Sequence, residues 1–181
     1  MRRHLLALDL GTVTGWAEGP IDPRDGPIVS GSFKLGPEGA GHGARFGALL
    51  TWLADRMQVS RPAVVAYEAP LDPRILSTAR QTIRLLNGLP AIVEVVCDRR
   101  GVFDVREAEV GDIRHYWLGR RNIAGAVAKH AIRERLAAQG FAVSDYDASD
   151  ALALHRYIAA CIDPALRMVA TPLPQTKRGA R

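Results

Sequence analysis

Two short runs constrain what this chain can fold into more than any other feature. Leu5-Leu6-Ala7-Leu8-Asp9 and Val64-Val65-Ala66-Tyr67-Glu68 are apolar until each ends in a carboxylate. An unbroken apolar run of this length is the mark of a strand covered on both faces, because a half-exposed strand alternates. Strands of that kind need helices on both sides of a sheet, which is an α/β architecture. A carboxylate closing a buried strand is costly unless something pairs with it. Here that cost arises twice in the same structural position.

The rest of the chain fits around these runs. Gly11-Thr-Val-Thr-Gly15 supplies a turn, Trp16-Ala-Glu18 begins a return strand, and residues 19–27 are a Gly/Pro/Asp loop. Ile28 to Leu35 reads as a third strand, completing an antiparallel meander. Glycines 36, 39, 41 and 43 then break the chain before a helix whose apolar face is Phe46, Leu49, Leu50, Leu53 and Met57. After the strand at 63–68, Pro70 and Pro73 forbid its extension. Residues 75–99 are helical in pattern, with Asn87-Gly88 and Pro90 predicted to kink or split the helix. Val102–Val105 is predicted as a fifth strand, and helices over 107–118, 123–139 and 148–162. Residues 1–165 are expected to form one domain, and 166–181 a basic, Pro-rich, disordered tail.

The late helix opens with two more acids, Asp147 and Asp150, which share one face at i and i+3. If the first and fourth strands are neighbours, Asp9 and Glu68 emerge at one edge, and the helix acids can point back at them. Four carboxylates at close range suit Mg²⁺ or Mn²⁺, which take hard oxygen ligands. Each acid also has a purely structural use. Asp9 could start a turn, and Asp147 and Asp150 could favour the helix dipole, with Ser144 or Asp145 as N-cap. Glu68, followed by Ala-Pro, has no turn role.

The net charge of +5 and pI near 9.7 suit a polyanionic partner. Bases gather late: Arg106, Arg114, Arg120, Arg121, Lys129, Arg133 and Arg135 lie within residues 106–135, away from the acids. Arg74, Arg80 and Arg84 could line a groove beside Glu68. Tyr116 and Trp117 among the arginines are possible stacking platforms, with Trp117 as a core residue the favoured reading. Cys97 and Cys161 have no metal-ligand spacing and read as small buried hydrophobes. His42, His115, His130 and His155 show no metal spacing either; His115 could assist proton transfer, with a plain surface histidine as its default reading. No apolar stretch approaches the roughly 20 residues that span a bilayer, so a cytoplasmic location is expected.

Three motifs together resemble the RuvC family of Holliday-junction resolvases, within the RNase H-like superfamily. They are Ala7-Leu-Asp9-Leu-Gly-Thr-Val-Thr-Gly15, then Val65-Ala-Tyr-Glu68 about sixty residues on, then Asp147-Ala-Ser-Asp150-Ala-Leu-Ala-Leu. The last is the most specific, and the resemblance spans residues 4–160. It implies a five-stranded mixed sheet flanked by helices, with three antiparallel strands followed by two parallel ones. It further implies a homodimer; the interface is expected on the helix near 75–99, because its apolar residues Leu85, Leu86, Ile92, Val93, Val95 and Val96 exceed one face's worth. By the same resemblance Asp9, Glu68, Asp147 and Asp150 are the catalytic acids and ligands of two Mg²⁺ ions, Mn²⁺ substituting. Arg114 matches a DNA-contacting base, and Lys129 a second one. Outside the resemblance, Arg120 and Arg121 read either as phosphate contacts or as an exposed helix end, and Arg74 and Arg80 as candidate DNA contacts in the groove beside Glu68. Two departures, Leu10 in place of a proline and no aromatic in Ala69–Ile75, bring the chain nearer the phage and prophage resolvases.

The implied activity is a metal-dependent endonuclease that nicks branched DNA, foremost the four-way junction. Related or competing readings are a RuvC-like RNA-processing nuclease and a non-catalytic DNA-binding protein. An actin-like kinase shares the Asp-x-Gly-Thr loop at 9–12, but needs a second phosphate loop that the sequence lacks, so no nucleotide cofactor is expected.

Overall fold

A computed structural model describes residues 3–70 and 80–167. Within them the chain builds one five-stranded sheet in the order β3-β2-β1-β4-β5. The strands are β1 (His4–Asp9), β2 (Val13–Pro20), β3 (Val29–Lys34), β4 (Val64–Glu68) and β5 (Val105–Ala108). The first three form the antiparallel meander, while β4 runs parallel to β1 and β5 parallel to β4. The helices are α1 (His42–Ser60), α2 (Arg80–Arg100), α3 (Val110–Leu118), α4 (Gly125–Ala138) and α5 (Tyr146–Ile162). The mixed α/β sheet expected from the sequence is therefore present.

Strand pleating sorts the two apolar runs onto opposite faces. Leu6, Leu8, Val65 and Tyr67 pack with Leu49, Leu53 and Met57 of α1 and Leu89 and Val93 of α2. Leu5, Ala7, Val64 and Ala66 face the other way, onto α3, α4 and α5. All eight are buried, which is why neither run alternates. Helix α5 lies under the middle of the sheet and buries residues around its whole circumference, from Ala148 to Ala160.

Several expectations need correction. The return strand begins at Val13, inside the segment read as a turn. The fifth strand lies at 105–108, three residues later than predicted, and the following helix starts at Val110. Val65 N–H donates to the Asp104 carbonyl at 3.0 Å, and Ala69 N–H to that of Ala108 at 2.9 Å. Pairing with β4 thus draws the polar Arg106 and Glu107 into the ladder, against their weak strand pattern. Helix α2 is neither split nor ended at Asn87-Gly88 or Pro90. Gly88 is there for close packing: a Cβ on it would lie 2.4 Å from the ring of Phe46 on α1. Leu50, assigned to the inner face of α1, is 37% exposed. Cys97 is buried, but Cys161 is exposed rather than a core residue. His155 is fully buried, and burial with the nearby Arg156 charge pushes it down to about 3. The predicted tail beyond residue 167 and the start of the helix at 75–79 lie outside the described residues.

Candidate active site

The strand register sets the site. Leu8 pairs with Tyr67 across β1 and β4, so the next residues, Asp9 and Glu68, emerge side by side at the same edge. Asp9 follows Leu5 and Ala7 in the pleat, and Glu68 follows Val64 and Ala66. Both carboxylates therefore share the sheet face that α5 covers.

Helix α5 is fixed there by two devices. Asp145 is its N-cap: Oδ1 accepts from the Ala148 amide at 2.8 Å, and Oδ2 accepts from Ser32 of β3 at 2.9 Å and from Ser144 at 2.7 Å. Burial on its own would raise the Asp145 carboxyl, but these donors together hold it below the usual range. Gly15, the register partner of Asp9, is the second device. A Cβ on Gly15 would stand 2.0 Å from the Asp147 carbonyl oxygen. The first turn of α5 rests on bare backbone, which brings Asp147 beside Asp9 and turns Asp150 inward. Thr14, fully buried, donates from Oγ1 to the Gly11 carbonyl at 3.0 Å and shapes the β1–β2 turn. The sequence marked residues 11–15 as a turn and missed the contact role of Gly15.

Asp9, Glu68 and Asp150 line one cavity of about 70 Å³, with Arg114 of α3 and Lys129 and Ala128 of α4. A second hollow of about 130 Å³ opens on the other side of Asp9 and Glu68, walled by Leu10, Pro70, Leu86 and Pro90. Asp147 does not line the first cavity, but its charge acts on both Asp9 and Asp150. Burial, then the charge of Asp150, pushes Asp9 up to about 7. Burial, then the charge of Asp9, pushes Glu68 up to about 8. Asp150 is raised as well, chiefly by burial, against the lowering effect of its ion pair with Lys129. Burial alone would lower Lys129; the Asp150 contact and the charges of Asp9 and Asp147 raise it instead.

The bases expected at a DNA surface divide into groups. Arg114 and Lys129 stand in the cavity wall, and Arg114 also donates from Nη1 to the Ile123 carbonyl at 3.0 Å, bracing the α3–α4 loop. Arg121 is paired with Asp112, and Arg120 is exposed just beyond α3, both outside the cavity lining. Arg80 is exposed at the start of α2. Arg74 lies outside the described residues. Trp117 is a core residue, 1% exposed, donating from Nε1 to the Ala153 carbonyl at 3.1 Å, and so not a stacking platform.

The donor set is chemically that of a hard divalent cation: oxygen only, anionic, poorly solvated and mutually repelling. Among the described residues, no three His, Cys, Asp or Glu side chains are drawn close enough together to hold an ion, and Lys129 is folded onto Asp150. Its side chain is 44% exposed, so the ammonium has room to move outward.

Neither a known family profile nor a curated protein matches the sequence. The fold, however, has clear counterparts. The chain is similar to Thermus thermophilus RuvC in complex with a Holliday junction substrate (TM-score 0.69, 18% identity, 94% of this chain and 99% of that one). A second structure of Thermus thermophilus RuvC gives a TM-score of 0.65 at 17% identity, over 88% and 96% of the two chains. The yeast mitochondrial Holliday junction resolvase gives 0.60 at 15% identity, over 87% and 78%. The domain is thus an RNase H-like α/β fold. Within that class it has the architecture of the RuvC resolvases.

Proposed function

We propose that this chain is a divalent-metal-dependent endonuclease that nicks branched DNA, with the four-way junction as its substrate. The observation that carries the proposal is the convergence of Asp9, Glu68 and Asp150, from three separate elements, on one cavity that also holds Arg114 and Lys129. Its support from outside the chain is the shared fold with a protein bound to a Holliday junction.

In this reading Asp9, Glu68, Asp147 and Asp150 hold Mg²⁺, with Mn²⁺ as a substitute. Two such cations would activate a water and neutralise the charge on the leaving oxygen of the phosphodiester. The protein residues orient and screen. Lys129 neutralises Asp150 while the site is empty of substrate, and its exposed ammonium can meet an incoming phosphate. Arg114, braced by the Ile123 carbonyl, presents its remaining donors to phosphate oxygens in a fixed geometry. Asp9 and Glu68, with pKa values raised toward neutrality, keep protons until a cation replaces them. Arg80, Arg120, Arg121 and Arg74 would add backbone contacts, which give affinity without base sequence. Two symmetric nicks require two such sites, so we assign a homodimer. Exposed Val95 and the half-buried Leu86 and Ile92 on α2 support that helix as the interface. Leu10 after Asp9 supports placing the chain with the phage-type resolvases.

The test is cleavage of end-labelled four-way junction, Y-fork and linear duplex in Mg²⁺, Mn²⁺ or EDTA. Paired nicks in the junction that vanish in EDTA and in Asp150→Asn, with junction binding retained, are the expected result. Equal cutting of forks would widen the substrate class. A folded protein that cuts no DNA would overturn the proposal and leave RNA processing or plain DNA binding.

A further inference from the structure

Helices α4 and α5 meet in two successive cross-contacts. Lys129 pairs with Asp150. One helical turn on along α4 and one turn back along α5, the Arg133 guanidinium lies 5.0 Å from the ring centroid of Tyr146. Lys129 and Arg133 are i and i+4 on one helix; Tyr146 and Asp150 are i and i+4 on the other, so each pair shares a face. The first contact belongs to the acidic site. The second does not, and it lies about 6 Å away, the rise of four helical residues.

Tyr146 is unusual in this position. It is the first residue of α5, directly before Asp147, yet its side chain is 44% exposed. Most of the rest of that helix is buried. No packing requirement explains an aromatic ring held out of the core there, and a small polar residue would serve the helix start as well, since Asp145 already supplies the cap. The guanidinium sits over the ring, and close to half of the residue stays open to solvent. A cation backing a half-exposed aromatic ring is a surface on which a nucleobase stacks, with the arginine free to reach the adjoining phosphate.

We propose that Tyr146, backed by Arg133, is a stacking platform for an unpaired base of the branched substrate, next to the nucleotide whose phosphate enters the acidic site. This rests on the nuclease reading above and adds a residue that selects for DNA with an unstacked base. A phosphate between Lys129 and Arg114 places the neighbouring nucleotide one turn along α4, over the Tyr146 ring. A continuous duplex keeps its bases stacked inside and cannot use the ring; an open branch point can. Tyr146 is thus a specificity residue rather than a catalytic one.

The test compares wild type with Tyr146→Phe, Tyr146→Ala, Tyr146→Leu and Arg133→Gln. Binding to four-way junction and to linear duplex is measured in EDTA, with 2-aminopurine at the crossover, and kcat and KM are measured in Mg²⁺. Stacking of one base is worth roughly 1–3 kcal/mol, or about 5- to 150-fold. The expected result is junction binding weakened by that factor in Tyr146→Ala and Tyr146→Leu, with the 2-aminopurine signal lost. Tyr146→Phe keeps both, Arg133→Gln falls between, and duplex binding is unchanged throughout. Tyr146→Leu retains the apolar bulk, so its loss of binding with an unaltered melting temperature separates stacking from folding. Junction binding, signal and kinetics at wild-type level in Tyr146→Leu would overturn the inference while leaving the nuclease reading intact. A wild-type protein that neither binds nor cuts branched DNA would overturn both.

Discussion

Replacing Asp9 by Asn should make the metal-free protein more stable, although it removes a residue that the proposed reaction needs. Folding raises the Asp9 carboxyl from 3.8 to about 7, because burial and the charge of Asp150 disfavour its ionised form. A carboxyl raised in this way contributes stability below its unfolded value and loses it as pH climbs through the folded one. At about 1.4 kcal/mol per pH unit, the shift sets an upper bound of about 4 kcal/mol on the penalty at pH 8. Glu68, raised to about 8, is still partly protonated there and shares the same repulsion, so part of the penalty is already relieved. A gain of about 2 kcal/mol is therefore expected, or roughly 4–8 °C in melting temperature for a domain of this size. The assay is thermal unfolding of both proteins in EDTA at pH 5 and pH 8, then in 10 mM Mg²⁺. The gap should be wide at pH 8, should narrow to well under half at pH 5, where Asp9 is neutral in the folded wild type but still ionises on unfolding, and should shrink in Mg²⁺. Only the wild type keeps the full ligand set from which bound cation stabilises the fold. A variant no more stable than wild type at pH 8 in EDTA, or a gap of equal size at pH 5, would refute the account of the site as an electrostatically strained cation cage.

Gly15→Ala should cost about 1–3 kcal/mol and abolish cleavage, because its Cβ would meet the Asp147 carbonyl at 2.0 Å and push the head of α5 from Asp9; chemical denaturation and the junction assay check this, and a fully active, stable variant would count against it. Arg56→Ala should cost about 3–5 kcal/mol, since Glu18 is 6% exposed and relies on the Arg56 guanidinium at 2.5 Å, itself stacked 4.0 Å from the Trp16 ring centroid; double replacement with Glu18→Gln should recover much of the loss in urea unfolding. His155, pushed down to about 3 by burial and by Arg156, takes up a proton on unfolding, so its contribution is lost as pH falls from about 6.5 toward 3. The stability difference between wild type and His155→Leu should accordingly narrow from pH 7 to pH 4 in EDTA, and parallel curves would show that His155 does not titrate on unfolding.

What the sequence made legible and what it hid follow one physical division. Residues whose placement depends on burial were readable: β1 and β4 announce themselves because every position is apolar, and their terminal acids stand out against that background. The i, i+3 spacing of Asp147 and Asp150 was equally plain. Features that depend on another part of the chain were not. β5 is a strand because β4 offers it a partner, so its polar Arg106 and Glu107 disguised it. Gly88 and Pro90 read as helix breakers, yet Phe46 of α1 requires the bare glycine and the helix continues around both. Gly15 looked like a turn glycine until α5 was laid upon it. The site illustrates the same division. Its acids could be picked out singly, but their function depends on a contact between Gly15 and Asp147 that joins residues far apart in sequence. That contact places a fourth carboxylate behind three already crowded ones, and the repulsion it adds is what a bound cation would relieve. The least conspicuous residue of the site thus helps set how strongly the conspicuous ones repel one another.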